Sequence, residues 1–204
     1  LMRTRLSPFL RSALACGLLA PMCPASPDSV ISFNEIQYNP AGTSESGEWV
    51  ELFNQMGIKV DVSGWRIDGL GYTFPAGTIL NPGAYAVVAK TPGVGQFGPF
   101  TGSIGNDGQR LRLINQSDRM MDEVDFQDDD PWPAGADGAG ATLAKILPHT
   151  GSLAHANWTV SNQIAGTPGA VNFSGAGTTG GLRISEMPAA TAPGFWLELV
   201  NTGT

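Results

Sequence analysis

Apolar and polar residues alternate along short stretches of this chain, and residues that favour turns separate the stretches. "VISFNEIQYN" (30–39) and "EWVELFN" (48–54) both alternate in this way. The first places Ile31, Phe33 and Glu35 on one face and Ile36 on the other. The spacing predicts two half-buried strands.

The same pattern continues to about position 172. "VDVSGWRIDG" (60–69) predicts two very short strands around Gly64, and "YTFPAGTILNPGAYAVVAK" (72–90) predicts a strand, a proline turn and a buried strand. "GQRLRLINQSDRMMDEVDF" (108–126) has the outline of a hairpin, and "ATLAKIL" (141–147) and "NWTVS" (157–161) predict the last strands. About eight or nine strands without crossover helices indicate an all-β fold, an antiparallel β-sandwich.

The end of the chain repeats its beginning. "GEWVELFN" (47–54) recurs as "GFWLELVN" (194–201), with Trp, Glu, Leu and Asn at the same spacing. Between the two units, 173–181 is rich in Gly, Ser and Thr, which predicts a flexible linker. We therefore expect one complete domain at 30–172 and the truncated start of a second at 182–204. An alternative is that "FWLELVN" docks as an extra strand on an edge of the first domain.

The first 25 residues have the pattern of a secretory signal peptide. Three arginines and no acidic residue accompany the apolar run "SALACGLLAPM", and small residues precede a predicted cleavage site after Ala25. The run is too short to favour a retained membrane anchor, and "ALAC" matches a lipoprotein signal poorly. Both cysteines, Cys16 and Cys23, lie in this segment, so the mature chain would contain no thiol.

The charge of the predicted mature chain argues against nucleic-acid binding. Of the 11 Lys and Arg residues, three lie in the predicted signal peptide, which leaves eight against 18 Asp and Glu. No basic stripe interrupts this acidic balance, so a phosphate backbone would be repelled.

Eight segments in succession resemble the bacterial lamin tail domain family over about positions 30–172, and weakly over 182–204. The chain departs from the usual pattern of the family at "FNQMGIKV" and at "TLAKI". The resemblance implies an immunoglobulin-like β-sandwich with no catalytic residues of its own. The matching segments are "FNEIQYNP", "GEWVELFN", "DVSGWRIDG", "YTFPAGTILNPGAYAVVA", "GNDGQRLRLIN", "DEVDFQDDDPWPAGADGAGATLAKI", "ANWTVS" and "GTPGAVN".

Bacterial members of the family are mostly exported, often in tandem, and often joined to other domains. The resemblance therefore implies a secreted or cell-envelope protein that is not an enzyme, a scaffolding or interaction module of a tandem protein. Its expected partner is a protein or a cell-surface polymer, with no membrane contact in the mature form and no obligate oligomer. The alternative is the N-terminal accessory arm of a larger exported enzyme, similar to a spore-coat kinase or a nuclease.

The acidic loop "DFQDDDPWPAGADGAG" (125–140) holds the only candidate metal ligands. Asp128, Asp129, Asp130 and Asp137 offer hard oxygen ligands for calcium, and no other cofactor is predicted. The loop lacks the spacing of an EF-hand, and consecutive aspartates on an extended chain point in different directions. Solvated loop charges are the other interpretation.

Three further groups of residues have both a chemical and a structural interpretation. Four tryptophans could stack on sugars, or fill the core, and Trp132 between two prolines could plug one end of the sandwich. Glu35 and Glu51 recur as Glu186 and Glu198. This recurrence favours a structural role, in which Glu35 accepts backbone hydrogen bonds, and it argues against the carboxylate pair of a hydrolase. His149 and His155 lack a third ligand or a nearby nucleophile. The four tryptophans are Trp49, Trp65, Trp132 and Trp158.

Overall fold

A computed structural model describes residues 30–42 and 45–173, together with the backbone of two later strands at 182–186 and 198–201. The predicted signal peptide and most of the predicted linker lie outside the described residues. The described helices are three single 3₁₀ turns, Glu45–Gly47, Ala134–Ala136 and His155–Asn157. None of the helices within those ranges is long and apolar enough to cross a membrane.

Eleven strands form the first domain. They are β1 (Ile31–Gln37), β2 (Trp49–Asn54), β3 (Val60–Asp61), β4 (Arg66–Asp68), β5 (Tyr72–Thr73), β6 (Ile79–Leu80), β7 (Tyr85–Ala89), β8 (Gly108–Ile114), β9 (Met120–Gln127), β10 (Leu143–Lys145) and β11 (Trp158–Val160). This number exceeds the predicted eight or nine, and the two-residue strand β6 lies in a segment for which the sequence predicted no strand.

Two antiparallel sheets face each other, as the sequence predicts. One has the strand order β11-β10-β1-β2-β7 and the other the order β5-β4-β8-β9, while β3 and β6 form a separate ribbon. The core between the sheets is one continuous cluster of buried apolar side chains. Its members from the two sheets include Phe33, Val50, Leu52, Val88, Ile67, Leu111, Leu113, Val124 and Phe126. The architecture is that of an immunoglobulin-like β-sandwich.

A β-bulge in β1 corrects one prediction from the sequence. The pairing of β1 with β2 shifts between Phe33 and Glu35, so Asn34 is the extra residue. A bulge reverses the alternation of side chains beyond it. Ile36 therefore joins Phe33 in the core, and Glu35 does not, which is the opposite of the predicted faces.

The later strands β12 (Leu182–Glu186) and β13 (Glu198–Asn201) pair with each other and belong to neither sheet of the first domain. Their register repeats that of β1 and β2. Leu182 faces Asn201 as Ile31 faces Asn54, and both hairpins carry an irregularity just before a pair of facing glutamates. In the described part of "FWLELVN", β13 pairs with β12 and with no strand of the first sandwich. The division into two domains and the docking alternative stay predictions.

Candidate functional site

Two glutamates lie side by side on the outer face of the five-stranded sheet. Glu35 on β1 faces Glu51 on β2, and the bulge at Asn34 produces this pairing. Neither residue has any solvent-accessible surface. Buried carboxyl groups are rare without bonding partners, so whatever covers this pair must supply hydrogen-bond donors.

The cover is the segment 165–172, which we call the strap. The backbone N–H of Thr167 donates to both carboxylate oxygens of Glu35, at 3.1 and 3.0 Å, and the Thr167 hydroxyl donates to Oε2 at 3.0 Å. The N–H of Gly169 donates to Glu51 Oε2 at 2.5 Å. The Thr142 hydroxyl from the neighbouring part of the sheet also bonds to Glu35. The expectation that Glu35 accepts backbone hydrogen bonds is confirmed.

Two asparagines complete the attachment of the strap. Asn34 Nδ2 donates to Glu51 Oε1 and to Asn172 Oδ1, both at 2.8 Å. Asn172 Nδ2 in turn donates to the carbonyl oxygens of Asn34 at 3.0 Å and of Lys145 at 2.9 Å. The extra residue of the bulge thus binds the strap directly. The arrangement occupies the polar atoms of both carboxyls with the protein's own groups.

Burial controls the ionisation of this pair. The pKa of the Glu51 carboxyl is raised from 4.5 to about 8. Burial is the largest cause and the nearby Glu35 adds to it, while the bonds from Gly169 and Asn34 act in the opposite direction. Burial likewise raises the pKa of Glu35, although the bonds from Thr142 and Thr167 act in the opposite direction. Two adjacent carboxyls in a dry site cannot both ionise freely. The geometry fits a proton-holding attachment point and provides no open cleft for a substrate.

Gly166 offers a sharp test of the strap. Its φ of +65° is unfavourable for other residues, and an added Cβ would overlap Glu35 Oε1 and lie 2.7 Å from Thr142 Cγ2. We expect Gly166→Ala to lower the free energy of unfolding by about 2–3 kcal/mol. Gly169→Ala is the matched control, since its φ is +84° but nothing lies within 4 Å of the added atom. Chemical denaturation in which both variants lose the same free energy would contradict the proposed close contact.

A second buried polar cluster joins the two sheets. Lys145 Nζ donates to Ser152 Oγ at 2.9 Å, and Ser152 Oγ donates to Asp122 Oδ2 at 2.5 Å. The N–H of Phe33 donates to the same Asp122 oxygen at 2.8 Å. Burial lowers the pKa of Lys145 from 10.5 to about 8, and burial raises the pKa of Asp122. Asp122 and Lys145 lie on opposite sheets, so this cluster links β9 to β10 and β1.

The structure does not bring the four predicted calcium ligands into one group. Asp129, Asp130 and Asp137 are exposed and Asp128 is half-buried. Asp137 Oδ1 accepts a 2.5 Å hydrogen bond from Asn39 Nδ2. Within residues 30–42 and 45–173, no three Asp, Glu, His or Cys side chains gather where they could hold a metal ion. Calcium binding itself stays a prediction.

All four candidate tryptophans are buried, which confirms their interpretation as packing residues. Trp65, Trp132 and Trp158 belong to the main core, whereas Trp49 packs with Val87 and Ala89 in a separate cluster. Trp132 lies 6.2 Å from Trp158 between ring centroids. The loop that carries Trp132 therefore closes one side of the sandwich.

The two histidines are exposed and have different neighbours. His149 lies 5.7 Å from the ring of Phe53, and His155 lies 6.5 Å from the ring of Trp132. The structure does not join them in one site.

A groove opens beside the strap on the outer face of the five-stranded sheet and encloses about 160 Å³. Its walls are apolar and include three side chains with large exposed fractions, Leu147 at 60%, Ile146 at 46% and Val171 at 46%. Tyr85 and Phe173 contribute aromatic rings, and asparagines contribute polar groups. Contiguous exposed apolar surface of this kind marks contact sites on soluble domains.

Sequence reasoning missed the groove, the Asp122–Ser152–Lys145 cluster and the role of Asn172. The groove joins "ILP" at 146–148 to "VNF" at 171–173, which are far apart in the chain. The repeated Glu35 and Glu51 gave the one usable signal, because residues that recur with a folding unit serve that unit. Their partners have no local periodicity and could be assigned only from the tertiary structure.

The sequence profile of the Lamin Tail Domain family matches residues 24–128, about half of the chain, from β1 to the end of β9. No curated protein matches the chain. The match covers both glutamates and most of the two sheets, while the strap lies beyond it. With its antiparallel immunoglobulin-like sandwich, the chain belongs to the lamin tail domain family.

Proposed function

We propose that this chain is an exported, non-catalytic interaction module that is repeated along its polypeptide. The groove walled by Leu147, Ile146 and Val171 carries this proposal, because it presents apolar surface next to fixed polar groups. The partner is a protein or polymer of the cell envelope. An apolar anchor on that partner would fill the groove and cover Leu147.

Two other observations support the tandem arrangement. The hairpin β12–β13 repeats the register of β1–β2, including the facing glutamates. In addition, the strap and groove residues Val171 and Asn172 lie directly before the stretch that leads to β12. In such an array, each module would keep its own fold while the groove of the first stays available to a partner.

A binding assay with envelopes isolated from producing cells tests the proposal. The labelled protein should bind saturably, and Leu147→Asp should weaken binding at least about tenfold, because a charge replaces a buried apolar contact. Leu153→Asp is the matched control. Leu153 is 48% exposed and does not line the groove, so this variant should bind within about twofold of the parent.

Two results would count against this function. If the parent protein does not bind envelopes, the proposed interaction with the cell envelope is wrong. If both variants bind like the parent while their melting temperatures are unchanged, binding uses another surface. A catalytic domain encoded beyond position 204 would instead support the accessory-arm alternative.

A further inference from the structure

The strap lies on a pair of carboxyls that no cation neutralises. None of the ion pairs among the described residues includes Glu35 or Glu51. The strap sequence "AGTPGAVN" carries no charge, so it supplies only neutral hydrogen-bond donors. The remaining bonds of the strap go to neutral groups. The Ala165 N–H donates to the Gly140 carbonyl at 2.7 Å, the Gly166 carbonyl accepts from Gln163 Nε2 at 2.6 Å, and Asn172 bonds to Asn34 and to the Lys145 carbonyl.

The titratable groups around this pair come from three other elements. On β7, burial raises the pKa of the Tyr85 hydroxyl, and the nearby Glu51 raises it to a smaller extent. On β10, Lys145 offers the strap only its carbonyl oxygen, because its ammonium group bonds to Ser152 and to the Thr150 carbonyl. On the loop after β10, exposed His149 contacts Phe53. None of these groups supplies a positive charge that bonds to either glutamate.

We propose that the strap is a pH-sensitive clasp, which stays closed while Glu35 and Glu51 share a proton and opens when both carboxyls are ionised. In the closed state, one proton removes the repulsion between the facing carboxyls. The Thr142 hydroxyl can accept as well as donate a hydrogen bond, so it can also satisfy a protonated Glu35. Once both groups are ionised, two buried negative charges share only neutral donors, and hydration becomes the better alternative.

The direction of the pH effect follows from the raised pKa values. A carboxyl whose pKa is higher in the closed state than in the open state favours closure at low pH. This contribution is fully present below about pH 4.5 and is lost as the pH rises towards about 8, the pKa of Glu51 in the closed state. The clasp therefore weakens through the neutral range and is open most often in alkaline solution.

Opening would change two features at once. Val171, Asn172 and Phe173 would leave the wall of the groove, so the groove would lose its shape. The freed strap would also lengthen the connection between the first sandwich and β12 from nine residues (173–181) to seventeen (165–181). Neither change depends on the identity of the groove's partner, so the clasp can be tested apart from the proposed binding function.

Hydrogen exchange on the whole chain tests the clasp. Protection of the Thr167 and Gly169 amides is compared between pH 6 and pH 9, after correction for the intrinsic pH dependence of exchange. The raised pKa of Glu51 predicts that the protection of these amides falls on the order of 100-fold between pH 6 and pH 9. In Glu51→Gln the fall should be less than about threefold, because this side chain cannot ionise.

Controls separate the clasp from general unfolding. Glu123→Gln alters a partly exposed acid of the other sheet and should keep the full pH dependence. The Leu111 amide in β8 should keep its protection at pH 9 in every variant. If Glu51→Gln does not fold, the parent alone tests the clasp, because its protection should fall about tenfold per pH unit below pH 8 and level off above it. Protection that is independent of pH in the parent, that falls equally in the parent and in Glu51→Gln, or that is lost together with that of Leu111 would overturn the clasp.

Discussion

Replacing Asp122 with alanine should lower the free energy of unfolding by about 3–5 kcal/mol, because it leaves the ammonium group of Lys145 buried without a carboxylate. Lys145 has no solvent-accessible surface, and Asp122 is 1% exposed. The change also removes the acceptor for the Ser152 hydroxyl and the Phe33 N–H. Guanidinium denaturation at pH 7 measures the effect.

Two further variants identify the cause of this loss. Asp122→Asn keeps an oxygen for the Phe33 N–H and removes only the charge, so it should lose less stability than alanine. Combining Asp122→Ala with Lys145→Met should recover part of the loss, since no buried charge is left unpaired. A loss below about 1 kcal/mol in Asp122→Ala would show that the cluster contributes little to stability.

Trp132→Ala should destabilise the domain by about 3–5 kcal/mol, which is the usual cost of removing a large buried aromatic side chain. Trp132 lies in the loop between β9 and β10, yet it is only 8% exposed and packs on Trp158. Thermal and chemical denaturation would measure the loss. Trp132→Phe is the control, because it keeps an apolar ring at this position and should retain most of the stability.

The opposite pattern would restore the ligand-binding interpretation of this residue. If Trp132→Ala changes stability by less than about 0.5 kcal/mol but abolishes binding to cell envelopes, the ring is presented to a partner. Because the ring is buried, we expect Trp132→Ala to lower stability.

Local pattern was enough to predict the strands and their antiparallel arrangement. Alternation along 48–54 and the turn residues around Gly64 and at 115–119 are local properties, and each corresponds to an observed element. A strict two-residue period along the whole of β1 misses the bulge at Asn34. The apolar core positions are Ile31, Phe33, Ile36 and Tyr38, and the step of three across Asn34 marks the extra residue. The bulge reverses the faces of Glu35 and Ile36 and so decides where the strap binds.

The candidate sites were less accessible to sequence reasoning. The recurrence of Glu35 and Glu51 indicated a structural role, but their partners Thr167 and Gly169 lie more than a hundred residues away. The cluster around Asp122 joins three segments with no shared spacing. Such contacts depend on how the two sheets pack against each other, and this packing cannot be deduced from a short stretch of sequence.

The duplicated hairpin has a consequence for how the protein folds. β12 and β13 offer the same pairing register as β1 and β2, so β7 or β10 could pair with the second hairpin in place of the first. Synthesis from the N-terminus avoids this competition, because β10 and the strap are made before Leu182 emerges from the ribosome. During refolding from denaturant, both hairpins are present from the start. The correctly paired first domain then has to form faster than the state in which β7 or β10 pairs with the second hairpin.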